Sequence, residues 1–82
     1  MNTIAVESST LRSIAYDESR ALLRLEFQSR AVYEYFEVPS AVREALLRAP
    51  SIGTCFNAMV RGCFRFTRVL PLDAESRREG ER

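Results

Sequence analysis

Thr54, Asn57 and Arg61 stand at i, i+3 and i+7, so on an α-helix a hydroxyl, an amide and a guanidinium share one stripe. Ser51 and Gly53 open the same segment, where free backbone amides and the positive end of the helix dipole favour an anion such as a phosphate. The plain alternative is a capped helix with a wet face. Gly53 weighs against it, since glycine costs roughly 1 kcal/mol relative to alanine in a helix. A second candidate is Tyr33 with Tyr35. Two residues apart on a strand, they project from one sheet face, as in proteins that stack single-stranded RNA bases on aromatic rings. They could equally pack beneath helices with their hydroxyls at the rim. Hairpin register decides between these readings: pairing of residue 25 with residue 33 sends both tyrosines to the face of Leu23 and Leu25.

Catalysis finds little support. All twelve basic residues are arginine, and histidine is absent, so neither an imidazole base nor a lysine Schiff base is available. Ser8, Ser9, Cys55 and Cys63 therefore lack an activating base. Asp17 and Glu18 are neighbours rather than an opposed carboxylate pair, and three glycines form no phosphate loop of the dinucleotide or Walker type. The expectation is a non-enzymatic protein without cofactor. Two cysteines without histidine also fall short of a metal site. Eight positions apart in what reads as one helix, they lie about 12 Å from each other and stay free thiols. We read both as small core residues of a protein in a reducing compartment, the cytoplasm by default.

The formal charge of +1 hides an asymmetry. Met1 to Glu37 carries four arginines against six carboxylates, net −2, whereas Val38 to Leu70 carries five arginines against Glu44 alone, net +4. The carboxyl-terminal half is thus the one to meet an anionic partner. No stretch is apolar enough to span a membrane, and the first ten residues lack the features of a signal peptide.

The supporting elements follow from periodicity. Leu11 to Tyr16 reads as a first strand, extendable back to Ile4 and Val6. In Arg20 to Phe27, Ala21, Leu23, Leu25 and Phe27 alternate with Arg20, Arg24 and Glu26, a half-buried antiparallel strand. Ala31 to Val38 is β-branched and aromatic, joined to it by the polar Gln28-Ser29-Arg30 connection. Pro39 stops the sheet and starts a helix containing Val42, Ala45, Leu46 and Ala49. Pro50 ends that helix, and Ser51 caps the next, whose buried residues are Ile52, Phe56, Met59 and Val60. Phe64 to Leu70 alternates with period two, the pattern of a short further strand. Charged residues without apolar periodicity fill Pro71 to Arg82, the composition of a disordered tail. The expected architecture is one α+β domain over 1–70, a three-stranded antiparallel sheet with two helices on one face. Its core comprises Leu23, Leu25, Phe27, Val42, Leu46, Phe56 and Val60.

An ordered set of marks runs through these elements: Val6, Ser8-Ser9, Tyr16-Asp17, Leu23, Leu25, Phe27, Tyr33, Tyr35, Val38-Pro39, Val42, Leu46, Ala49, Ser51, Gly53, Phe56-Asn57 and Arg61. In this order they resemble the KTSC domain, a family named for the carboxyl-terminus of lysyl-tRNA synthetase. Some members are appendages of that enzyme, and others are small bacterial or phage proteins. The resemblance implies RNA as a proposed partner and no known catalytic residue. A competing expectation is a protein-interaction module, or a homodimer, using the open sheet face. Two positions depart from the family pattern. Arg30-Ala31 stands where members often have hairpin glycines, and Cys55 stands where a second aromatic often precedes Phe-Asn.

Overall fold

The computed structural model describes residues 2–69. Its elements are β1 (Asn2–Ala5), β2 (Leu11–Asp17), β3 (Leu22–Phe27), β4 (Val32–Tyr35), α1 (Ser40–Arg48), α2 (Ile52–Met59) and β5 (Phe66–Val69). The strands form one five-stranded sheet in the order β1-β2-β3-β4-β5, antiparallel throughout. The α+β class is as expected, but the three-stranded sheet is corrected to five. The amino-terminal stretch is not an extension of β2. Ser8 interrupts it, because its hydroxyl accepts from the amides of Thr10 and Leu11 and folds residues 6–10 into a connection. The chain then returns as a hairpin, pairing Ile4 with Ile14. Gln28 ties the connection down by donating to the Ser8 and Leu11 carbonyls. At the other edge, the period-two segment after α2 pairs with β4.

Register sorts the residues. Asn2, Tyr16, Leu23, Tyr35 and Phe66 form one row across the sheet, and Ile4, Ile14, Leu25, Tyr33 and Arg68 form another. Both rows face the helices, which deliver Val42 and Leu46 from α1 and Phe56 and Val60 from its successor into a cluster with Leu11, Ile14, Leu23, Leu25, Tyr35 and Val38. The opposite face is largely polar, with Arg24 bonded to Glu34 and Arg12 facing Glu26. Of the seven expected core residues all are buried except Phe27, which packs half-buried against the cluster; on the face of α2 expected to be buried, Ile52 is half-buried and Met59 is 39% exposed.

Two local corrections concern the strand and helix ends. Ala21 is not a strand residue. It sits in the β2–β3 turn at φ 50°, and its carbonyl accepts from Val38. Helix α2 ends at Met59, where the amides of Val60 and Arg61 both turn onto the Phe56 carbonyl, and Gly62 follows at φ 78°. Cys63 therefore lies beyond the helix and is exposed, whereas Cys55 packs against the core; both thiols are free. Reading Cys63 as a core residue is wrong for that reason. Pro39 precedes the first helical residue as the cap position, at φ −65° and ψ 150°. No helix among the described residues is long and apolar enough to cross a membrane. The expected tail at Pro71 to Arg82 lies outside the described residues.

Candidate functional site

Strands β3, β4 and β5 and helix α2 meet around an open cleft of about 770 Å³, lined by Thr10, Phe27, Ser29, Ala31, Tyr33, Tyr35, Phe56, Asn57, Arg61, Gly62 and Phe66. Two candidates that were separate in the sequence, the tyrosine pair and the polar end of the second helix, share this one space.

The aromatic wall is continuous. Leu25 pairs with Tyr33 and Leu23 with Tyr35, so both tyrosines point to the helix side. Tyr35 is buried and Tyr33 half-buried. Their rings lie 6.4 Å apart and stacked, and Phe66 stands 5.6 Å from Tyr33 and 5.5 Å from Tyr35. Phe27 and Phe56 close the wall edge-on, 5.3 Å from each other. Phe66 is 55% exposed, so the wall opens to solvent there. An exposed phenylalanine backed by tyrosines is a ready stacking surface. The open-platform alternative for the tyrosines is thereby corrected: they pack beneath the helices, and the accessible ring is Phe66.

The polar side comes from α2 and the turn after it. Arg61 Nη1 donates to Asn57 Oδ1 at 3.4 Å, and both residues are exposed. Burial pushes the Tyr35 hydroxyl above its usual pKa, Tyr33 adds to that, and the Arg61 charge opposes it. Among the described residues no carboxylate lines the cleft, and Arg61 is the one charged wall residue. Arg68, opposite Tyr33 on β5, is exposed on the same sheet face.

Ser51, Gly53 and Thr54 are not part of this cleft. The expected single stripe splits because the helix is short: Ser51 and Thr54 sit at its first turn, while Arg61 follows its last. Ser51 caps the helix by accepting from the Thr54 amide, and its hydroxyl bonds Thr54 Oγ1 at 3.0 Å. These groups satisfy one another. Gly53 has a packing role, since a Cβ there would come within 2.5 Å of Thr10 Oγ1. The absent side chain lets the pinned β1–β2 connection lie against α2 and brings Thr10 to the cleft rim.

Phe27, Phe56, Phe66, Thr10 and Ser29 are wall residues that the sequence reading did not place in the site. Phe66 had a signal in the alternation of Phe64 to Leu70, but its role needs the pairing of Tyr35 with Phe66. A second concavity, about 470 Å³, lies between β1, β2 and α1 and holds Asp17, Glu18, Tyr16 and Arg43. There the Arg43 guanidinium stacks 5.4 Å from the Tyr16 ring centre and approaches Glu18 at 3.9 Å. Its carboxylates make it a poor host for a polyanion. Among the described residues no cluster of ligating side chains suits a metal.

Residues 7–64 match the model of the KTSC domain. The crystal structure of a KTSC domain protein from Yersinia pestis superposes with a TM-score of 0.82 at 28% identity, covering 84% of this chain and 97% of that one. An uncharacterized protein of Stutzerimonas stutzeri is 44% identical over 61 residues, which are 74% of this chain and 86% of the relative. A lysine–tRNA ligase of Nostoc punctiforme is 41% identical over 63 residues, 77% of this chain. The matched region is 11% of that ligase.

Proposed function

The chain belongs to the KTSC domain family, and from that premise we propose that it is a non-catalytic module whose aromatic cleft binds single-stranded RNA. The observation that carries this reading is the joining of Tyr33, Tyr35 and Phe66 with Asn57 and Arg61 in one cleft that no carboxylate lines among the described residues. Stacking on an exposed ring holds a base of any identity, and a guanidinium beside it holds the phosphate that follows. Arg68, together with the net positive charge of the carboxyl-terminal half, adds long-range attraction for the same polyanion. The similarity to a region of a lysine–tRNA ligase is compatible with an RNA partner. The opposite sheet face, with its Arg24–Glu34 and Arg12–Glu26 pairs, gives the protein-interaction reading less support.

Fluorescence anisotropy with a short labelled single-stranded RNA tests the proposal. Binding should weaken steeply with added salt. Arg61→Ala should lower affinity by about tenfold, the scale of one lost charge-assisted contact. Arg20→Ala, which removes a partner of Asp17 in the β2–β3 turn, should change it little. Absence of binding at low salt, or equal effects of the two substitutions, refutes the reading.

A further inference from the structure

The geometry points to a cleft that selects bases by their exocyclic group, preferring keto bases, uracil and guanine, over amino bases, with Asn57 as the discriminating residue; this rests on the RNA reading above. Arg61 carries only hydrogen-bond donors. Its Nη1 lies 3.4 Å from the side-chain amide of Asn57, so that amide turns its oxygen to the guanidinium. The amide NH2 is then left for the ligand. Asn57 thus acts as a donor, although a free asparagine offers both polarities.

The rest of the wall reinforces this polarity. The remaining polar side chains, Thr10, Ser29, Tyr33 and Tyr35, are hydroxyls, whose protons rotate to suit either kind of partner. The side-chain groups of fixed polarity, Asn57 Nδ2 and the Arg61 guanidinium, are donors, and among the described residues no carboxylate lines the cleft to accept. A base lying on Phe66 therefore meets donors at the edge facing α2. Uracil presents a carbonyl oxygen at C4 where cytosine presents an amino group, and guanine presents O6 where adenine presents an amino group. An amino group turned toward donors makes no hydrogen bond with them. The keto base satisfies them.

Comparing oligouridine with oligocytidine of equal length isolates this term, since the two pyrimidines are similar in size and share the backbone. Anisotropy titrations of the whole chain should find oligouridine bound about five- to tenfold more tightly, the effect of one discriminating polar contact. Asn57→Asp replaces the donor with an acceptor of the same shape. It should bring the uridine-to-cytidine ratio to one or below, whatever it does to overall affinity. A melting curve matching that of the parent shows the fold intact, as expected for an exposed helical position. Binding of both oligomers with equal affinity overturns the selectivity and leaves RNA binding standing. A ratio that survives Asn57→Asp overturns the role of Asn57. Failure of either oligomer to bind at low salt overturns both this inference and the reading beneath it.

Discussion

Tyr33 lies directly across from Leu25 on the neighbouring strand, and this pairing turns the Tyr33 and Tyr35 rings toward the helices rather than toward the outer face. The two tyrosines then serve two purposes. Tyr35 completes the core against Phe56, at a ring separation of 6.0 Å, and Tyr33 supports Phe66 at the cleft mouth. A one-residue slip in the hairpin would exchange the faces and dismantle both.

Phe66 is the ring most open to a ligand. Phe66→Ala should reduce RNA affinity by roughly tenfold to a hundredfold, in line with about 1–3 kcal/mol for one stacked base. Thermal stability should fall only modestly, because more than half of the residue already faces water. An unchanged affinity in the anisotropy titration would remove Phe66 from the site.

Gly53 exists for contact rather than for helix chemistry. Gly53→Ala should destabilise the fold by about 1–3 kcal/mol, the scale of overpacking, although alanine is the better helix former. Thr10→Ala removes the Oγ1 atom that the new Cβ would strike at 2.5 Å. The double variant should therefore recover part of the loss, which chemical denaturation of all four proteins measures as a coupling energy.

Asp17 contributes to the pH dependence of stability on the acid side. Its carboxyl is lowered to about 2, first by the Ser19 hydroxyl and next by Arg20. The unfolded carboxyl titrates near pH 3.9, so the contribution is complete above that value and disappears as the pH falls toward 2. Asp17→Asn should be less stable than the parent at neutral pH, and the gap should narrow below about pH 4 and close near pH 2. Denaturation midpoints measured across that range check the sign; a gap independent of pH would show that the carboxylate charge is immaterial.

The α+β class, both helices and the Ser51 cap were legible in the sequence because they depend on local chemistry. Pro39 fixes φ and lacks an amide, Ser51 accepts from the Thr54 amide, and the apolar residues of each helix recur at helical spacing. The strand around Leu23 and Leu25 was legible for the same reason, its alternation being a property of contiguous residues. The fifth strand was visible only as a pattern, and the separate β1 was missed, because exposed edge strands carry a weak burial signal and need a partner to define them.

The site divides in the same way. Asn57 and Arg61 were found from spacing, and Tyr33 with Tyr35 from strand geometry, as two unrelated candidates. Their union in one cleft depends on contacts between residues far apart in the chain: β5 returning beside β4 to set Phe66 against Tyr35, and α2 ending at Met59 so that Arg61 turns over the sheet. Ser51 and Thr54 fell away from the cleft because the length of a helix is set at its far end, where the chain turns at Gly62, and no spacing rule at its start contains that information. Local residue chemistry sufficed for the helices and the central strands; long-range pairing determined the edge strands and which side chains meet.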